Sequence, residues 1–157
     1  MTAELFTLDT NILVYAADQN AGEKHGRACD IVERAARRNC ILTVQALAEF
    51  FHAVTREGIV PMRDASEQVR DWISVFPTIP ADAETLGEAT QYGEPGGVIQ
   101  FWDAMLLMTA HRAGCAFVLT EDMYEGEVIE SAEVLTRILN PFAEGRNIET
   151  VDELLGG

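Results

Sequence analysis

Four acidic residues occupy positions from which a side chain can reach a bound ligand: Asp9, Glu49, Asp103 and Asp122. Asp9 and Asp122 each follow directly after a short apolar run of strand character. Glu49 lies one turn into a helical segment that begins where another apolar run ends, and Asp103 lies in the first turn of a later helix. If these acids converge, their mutual repulsion raises their pKa values, and a divalent cation is the usual remedy.

Oxygen ligands without an accompanying histidine or cysteine set favour Mg²⁺ or Mn²⁺ over zinc. Such a cation polarises a phosphoryl oxygen and lowers the pKa of its bound water, so the chemistry indicated is phosphodiester hydrolysis. Taken singly, Asp9 is equally well explained as a helix N-cap. Asp103 alone is explained by its place in the first turn of a helix, where the helix dipole stabilises a negative charge. Asp122 alone is typical of a turn, and Glu49 alone of a solvated helix face. The joint placement of the acids is therefore the specific signal.

A sheet is needed to position these acids. Short apolar runs over 5–8, 40–44 and 116–120 predict buried strands, and a last strand is expected within 134–142. The piece 76–80 contains two prolines, which suits an edge strand. Helical periodicity separates these runs, and the alternation predicts a parallel sheet covered on both faces. Ligands bind such a sheet at its carboxyl edge, where two of the acids follow strand ends.

The chain of 157 residues fits a single domain, with a core over about 5–142 and an acidic tail over 143–157. The tail is expected to form a loose helix or an arm. Helical segments are predicted over 11–18, 23–38, 45–54, 61–75, 82–92 and 101–113. Gly114 is expected to end the last of them.

Composition limits the class of protein. Apolar residues make up 48% of the chain and charged residues 24%, so disorder is not expected. No apolar run approaches the roughly 20 residues that span a bilayer, and the first residues lack the basic charge of a signal peptide. Three scattered cysteines indicate buried, reduced thiols in a cytoplasmic protein. The net charge of −15 repels nucleic acid unless cations or a local basic face compensate.

One predicted helix carries five of the eleven basic residues, including Lys24, the only lysine. Arg34 and Arg38 on this helix are the best candidates for contact with a phosphate backbone. The alternative is a solvated helix face whose arginines pair with neighbouring acids such as Asp30 and Glu33.

The histidines and tryptophans carry weaker signals. His52 lies one helical turn after Glu49 and could approach it, although a packed or surface histidine is the favoured interpretation. Trp72 and Trp102 sit at helical core spacing and are predicted to be packing residues.

Four short motifs contain the acids. They are Asp9-Thr10-Asn11-Ile12-Leu13, Gln45-Ala46-Leu47-Ala48-Glu49-Phe50, Phe101-Trp102-Asp103-Ala104 and Leu119-Thr120-Glu121-Asp122-Met123. In order, approximate spacing and structural setting they resemble the motifs of PIN-domain proteins of the VapC-type toxin ribonuclease kind. The resemblance covers about residues 5–142.

The resemblance implies a three-layer α/β/α fold with a five-stranded parallel sheet of order 3-2-1-4-5. It implies an Mg²⁺- or Mn²⁺-dependent endoribonuclease, the toxin of a type II toxin–antitoxin pair, which hydrolyses RNA. Members of this kind are commonly neutralised by a small antitoxin protein whose tail enters the acidic pocket, and they often form homodimers.

Compared position by position, the acidic quartet of the family falls on the four acids of this chain. By hypothesis the three aspartates hold the metal, while Glu49 holds a second metal or orients the attacking water. Thr120 falls on a Ser/Thr position whose hydroxyl can order a water at the metal. Asn11 falls on a polar position after the first acid and is a candidate for substrate contact.

Three other interpretations remain. A haloacid-dehalogenase phosphatase also begins with an Asp after the first strand, but it needs a second Asp where Asn11 stands and a lysine later than Lys24. A response-regulator receiver needs two adjacent early acids and a lysine after a late strand, and both are absent. A catalytically weak PIN-fold module that binds proteins is the more serious alternative, because strong negative charge suits it.

Overall fold

Short strands alternate with longer helices along the chain. The structure, a computed structural model, describes residues 4–92, 100–123, 128–130, 135–143 and 146–157. In chain order the strands are β1 (Phe6–Leu8), β2 (Cys40–Thr43), β3 (Thr78–Ile79), β4 (Phe117–Leu119), β5 (Val128–Glu130) and β6 (Leu135–Leu139). The helices are α1 (Thr10–Ala17), α2 (Glu23–Ala35), α3 (Val44–Arg56), α4 (Met62–Val75), α5 (Ala83–Tyr92), α6 (Phe101–Arg112) and α7 (Arg146–Leu154).

The sheet has the order β3-β2-β1-β4-β6-β5. Its first five members are parallel, which confirms the predicted parallel sheet with the order 3-2-1-4-5. β5 adds a sixth strand, antiparallel to β6 at the edge, which the sequence pattern did not indicate. The central strand β1 places Phe6 opposite both Cys40 and Phe117.

Burial explains why β1 is apolar without alternation. Phe6 and Leu8 are both within 1% of full burial, because helices cover both faces of the sheet. Thr7 lies between them, also fully buried, and its hydroxyl donates a hydrogen bond of 2.6 Å to the Ile41 carbonyl. A polar group inside a parallel strand is tolerated here because that partner replaces water.

The helix ends follow ordinary capping chemistry. Asp9 caps α1, and Thr43 caps α3 by accepting a hydrogen bond of 3.0 Å from the Ala46 amide. Gly114 follows α6 with φ +89°, which confirms the predicted stop, because glycine adopts this conformation without strain.

The acidic tail is not loose. Val151 of α7 and Leu155, the residue after the helix, are buried. Asp152 of α7 lies 3.7 Å from the guanidinium of Arg27 and 3.6 Å from that of Arg34. The expected loose helix or arm is therefore a docked helix, because its apolar side chain Val151 is buried in the core and Asp152 pairs with two arginines of α2.

Two expectations from composition can be compared with the structure. The three cysteines are free thiols; Cys40 and Cys115 are buried, whereas Cys29 is only partly buried. Within the described ranges, no helix has the length and apolar character that crossing a bilayer would require.

Candidate active site

A cleft of about 900 Å³ opens at the carboxyl edge of the sheet. Asp9 follows β1, Glu49 lies on α3 after β2, Asp103 lies in the first turn of α6, and Asp122 follows β4 by three residues. All four acids line the cleft. Their convergence follows from the topology, because the ends of parallel strands and the helices that leave them share one edge.

Asp9 is the most buried of the acids, with 5% of its surface exposed. Its carboxylate accepts hydrogen bonds of 2.6 Å from the Thr10 amide and 2.7 Å from the Thr120 hydroxyl. Burial raises the pKa of Asp9 to about 6, and the charges of Asp103 and Asp122 add to the increase while the two hydrogen bonds oppose it. Asp9 therefore caps α1, and its ionised form is disfavoured by burial and by the neighbouring acids.

The Thr120 hydroxyl organises the floor of the cleft. It donates to Asp9, so it must accept from its other partners, the Asn11 side-chain amide at 3.4 Å and the Asp122 backbone amide at 3.1 Å. Two segments of the chain, residues 9–11 and 120–122, are thus joined through one buried oxygen. The single proton of the Thr120 hydroxyl is donated to Asp9. The role of Thr120 in ordering a water at a metal stays a prediction.

Replacing Thr120 with valine is expected to lower the free energy of unfolding by about 1–3 kcal/mol, the typical cost of leaving buried polar groups without partners. Asp9 would lose a donor, and the amides of Asn11 and Asp122 would lose an acceptor. Urea unfolding measures the change. Thr120→Ser is the matched control and should stay close to the wild type; a valine variant as stable as the serine variant would contradict this role.

Glu49 is held by two polar neighbours. The Thr10 hydroxyl donates to its Oε2 at 3.1 Å, and the Gln45 amide donates to the same oxygen at 3.4 Å. Gln45 also donates a hydrogen bond of 2.8 Å to the Trp102 carbonyl. The start of α6, which carries Asp103, is therefore tied to the helix that carries Glu49.

Asp103 is partly buried, and its charge is disfavoured where it stands. Desolvation raises the pKa of Asp103 to about 6, and the charges of Asp122 and Glu49 contribute further. Asp122 itself is exposed at the mouth of the cleft. Burial and mutual repulsion thus both disfavour negative charge at Asp9 and Asp103, and such raised pKa values are common at functional sites.

The donor set fits a hard cation in its chemistry. Four carboxylates supply only oxygen ligands, and the buried Oδ1 of Asn11 has no hydrogen-bond partner. That amide cannot be turned around without loss, since its nitrogen donates to Thr120. Among the described residues, no three His, Cys, Asp or Glu side chains are already arranged to hold a metal ion. The side chains of Asp9, Asp103 and Asp122 would therefore have to adjust to hold one together.

Arg34 and Arg38, the predicted phosphate contacts, do not lie in this cleft. They line a separate concavity between α2 and the chain end. Arg34 lies 3.2 Å from the carboxylate of Asp30, and Arg37 lies 2.9 Å from that of Glu33. These ion pairs are the ones that the alternative interpretation predicted, between arginines and neighbouring acids of the same stretch. Asn11, the other candidate for substrate contact, does line the acidic cleft.

Glu121 anchors the segment that carries Asp122. It lies 2.7 Å from the Lys24 ammonium and accepts a hydrogen bond of 2.6 Å from the Tyr15 hydroxyl. These contacts lower the pKa of Glu121 although partial burial alone would raise it. The only lysine of the chain is used here, on the outer side of the site, and the sequence pattern did not indicate this contact.

Trp102 departs from its predicted packing role. Its side chain is 59% exposed and lines the cleft beside Asp103. Trp72 does pack, 7% exposed with its ring centroid 4.7 Å from that of Phe50. His52 is exposed and also lines the cleft. One feature of the sequence could have indicated that Trp102 lines the cleft: it directly precedes Asp103 in the first turn of a helix.

Comparison with known proteins places this geometry in a family. The family model for the PIN domain matches residues 6–124. No curated protein matches the chain. Among solved structures, the Mycobacterium tuberculosis VapC20, described as a sarcin-ricin loop cleaving toxin, has a TM-score of 0.60 at 16% identity, covering 78% of this chain and 91% of its own.

Two further structures have a similar fold. VapBC2 from Rickettsia felis, bound to a DNA fragment from its promoter, has a TM-score of 0.58 at 17% identity and covers 87% of this chain and 99% of its own. FitAB bound to the IR36 DNA fragment has a TM-score of 0.60 at 16% identity and covers 90% of this chain and 99% of its own. Because the family model spans most of the domain, with the acidic cleft inside the matched range, the chain belongs to the PIN domain family.

Proposed function

We propose that the chain is an Mg²⁺- or Mn²⁺-dependent endoribonuclease and the toxin of a type II toxin–antitoxin pair. One observation carries the proposal: four acids from four separate segments line a single cleft at the carboxyl edge of the sheet. Folding alone does not require such a set, because burial, together with repulsion between the acids, raises the pKa of Asp9 and Asp103. The fold similarity to a toxin that cleaves RNA supports the choice of substrate.

In this proposal Asp9, Asp103 and Asp122 hold the cation, which supplies a Lewis acid for the phosphoryl group and a more acidic water. Glu49 orients the attacking water or holds a second cation, and its carboxylate is fixed for this task by Thr10 and Gln45. Each carboxylate oxygen of Asp9 accepts one hydrogen bond and keeps a lone pair for a ligand. The Thr120 hydroxyl fixes Asp9 relative to Asp122, because it donates to the Asp9 carboxylate and accepts from the Asp122 backbone amide.

The proposal is tested with the purified protein, free of any partner, on a panel of cellular RNAs. We expect internal cleavage in Mg²⁺ or Mn²⁺ and none in EDTA. Cleavage that persists in EDTA would overturn the metal dependence, and intact RNA in both cations would overturn the nuclease function. The products on a sequencing gel would identify the cleavage position.

A small protein partner is part of the proposal. VapBC2 and FitAB are toxin–antitoxin assemblies of similar fold, and a net charge of −15 favours a basic partner here. We propose that an antitoxin places an arginine in the acidic cleft, that the toxin forms a homodimer, and that the protein acts in the cytoplasm.

One observation favours the alternative, a protein-binding module with little catalysis. Among the described residues that line the cleft, none is a lysine or an arginine. The charged groups that a nucleic acid would meet in this described lining are therefore mainly acids, unless cations are bound. The cleavage experiment separates the two functions directly.

Contact of Arg34 and Arg38 with RNA phosphates stays a prediction. If these residues contact phosphates, reversing both to glutamate should weaken RNA binding several-fold at low salt and reduce the slope of affinity against salt. The reversal also opposes Asp30 and Asp152, which pair with Arg34, so circular dichroism must first show that the variant is folded. RNA affinity equal to that of the wild type at low salt would dismiss the contact.

A further inference from the structure

The cleft beside the acids has a largely apolar wall with an exposed indole. Trp102 is 59% exposed and Val44 is 47% exposed, and both line the cleft. Large exposed aromatic side chains at a concave site are binding groups more often than accidents of packing. A ligand with a flat apolar face would cover this wall.

Trp102 is held in a fixed place relative to the acids. Its backbone carbonyl accepts a hydrogen bond of 2.8 Å from Gln45, whose amide also donates to Glu49. The ring of Phe101 meets the Trp102 ring edge-on, with centroids 5.1 Å apart and an angle of 69° between planes. The neighbouring residue Asp103 lines the same cleft. A group stacked on the indole would lie next to the carboxylates.

A second feature points to a ligand at this place. The Oε1 of Gln45 is buried and has no hydrogen-bond partner among the described residues. The amide is oriented by its nitrogen, which donates to the Trp102 carbonyl and to Glu49, so the oxygen is a committed acceptor. An N–H donor on the ligand would satisfy it after a small shift of the Gln45 side chain, since the oxygen itself is buried.

Charge indicates which ligand fits. The described lining of the cleft offers no lysine or arginine, so apart from a bound cation it supplies no positive charge to neutralise the phosphates of RNA. Bases can supply affinity instead, since every base has a π-face and most carry an N–H donor. The same cleft volume, about 900 Å³, is at the upper end of the range for ligand sites and has room beside the acids.

We propose that Trp102 is a stacking platform for an unpaired nucleobase adjacent to the scissile phosphate, with Gln45 Oε1 as the acceptor for a base N–H. The platform makes the enzyme selective for single-stranded RNA, because a paired base cannot present its face. This inference rests on the proposed function and names the substrate feature that the site recognises.

The test compares Trp102→Phe and Trp102→Leu with the wild type. Stacking on an aromatic side chain accounts for about a 5- to 150-fold change in affinity per base. We expect Trp102→Leu to raise KM for single-stranded RNA within that range with little change in kcat, and Trp102→Phe to restore most of the loss. Ile73→Ala, which removes an equally exposed apolar side chain from α4, is the control and should leave KM unchanged.

A binding measurement keeps this inference separate from the nuclease proposal. A short single-stranded RNA is titrated in Ca²⁺ in place of Mg²⁺, and a gel confirms that the RNA stays intact. Tryptophan fluorescence should be quenched in the wild type and not in Trp102→Phe, since Trp72 is buried in both. An abasic oligomer of the same length should not quench.

Each outcome decides one of the two ideas. Quenching without cleavage in Mg²⁺ or Mn²⁺ would support the platform and overturn the nuclease function. Cleavage with equal KM for the phenylalanine and leucine variants would support the nuclease and overturn the platform, and the indole would then belong to a protein contact. Equal quenching by the abasic oligomer would also overturn the platform.

Discussion

Replacing Asp103 with asparagine is expected to abolish RNA cleavage and to stabilise the metal-free protein. The activity should fall by more than about 100-fold, because loss of a group that merely supports a metal ligand already costs about 10–100-fold. The stability should rise because desolvation and the charges of Asp122 and Glu49 disfavour the Asp103 carboxylate. A loss of activity with a gain of stability is the signature of a functional residue that folding does not require.

Two opposing effects act on the stability of Asp103→Asn. The carboxylate lies in the first turn of α6, where the helix dipole favours it by about 0.3–1 kcal/mol. The raised pKa, about 6, shows that the unfavourable effects are the larger ones. The stabilisation should therefore be present at pH 8 in EDTA, as a higher midpoint of thermal unfolding.

The matched control is Asp71→Asn, on the exposed side of α4, which should change neither activity nor stability appreciably. Adding Mg²⁺ at pH 8 should raise the unfolding midpoint of the wild type and of Asp71→Asn, and raise it much less in Asp103→Asn. Cleavage by Asp103→Asn at the wild-type rate in Mg²⁺ would show that the assignment is wrong.

The metal-free wild type is expected to lose stability as pH rises from about 4 to about 7. In the unfolded chain Asp9 has its ordinary pKa of 3.8, whereas in the folded protein its pKa is about 6. Between these values the folded state binds a proton that the unfolded state has released, so raising the pH favours unfolding. A difference of this size corresponds to about 3 kcal/mol for Asp9, and Asp103 acts in the same direction.

Other groups titrate in or near this range and must be separated. Burial lowers the pKa of His111, so this residue makes the protein more stable as pH rises toward 6.5. The carboxyls of Asp82 and Glu121 have lowered pKa values and affect stability mainly below about pH 4.5. A comparison of wild type with Asp9→Asn removes these shared contributions.

Asp9→Asn carries a fixed cost, because asparagine has one acceptor oxygen where Asp9 uses two, so its NH2 group would face either the Thr10 amide or the Thr120 hydroxyl. The slope of unfolding free energy against pH is therefore the informative quantity, measured by urea unfolding in EDTA. We expect a shallower decline between pH 4 and 7 in Asp9→Asn than in the wild type. Parallel curves for the two proteins would contradict the raised pKa of Asp9.

Local patterns were sufficient for much of the fold. Short apolar runs predicted β1, β2 and β4, and their alternation with helices predicted a parallel sheet. The strand order 3-2-1-4-5 came from the resemblance. The parallel strands have this order when they are numbered by themselves, with β6 as the fifth. The convergence of the four acids could also be predicted, because it follows from parallel strands alone. Their roles as metal ligands stay predictions.

Other features depend on contacts between distant segments. The sequence pattern did not indicate β5 as an antiparallel edge strand. It predicted a loose acidic tail where α7 lies, because the ion pairs of Asp152 with Arg27 and Arg34 of α2 cannot be read from the tail alone. Trp102 had the spacing of a core residue, yet it is exposed. In each case the periodicity of a segment does not say which neighbour covers it.

The sequence by itself determined which segments become buried strands and which residues stand at their carboxyl ends, since both follow from short, continuous runs of apolar residues. Only the tertiary structure decided what surrounds those residues. The raised pKa of Asp9, the three partners of Thr120 and the exposed face of Trp102 all arise where segments far apart in the chain meet. Desolvation and hydrogen bonding are properties of such meetings, and no single segment encodes them.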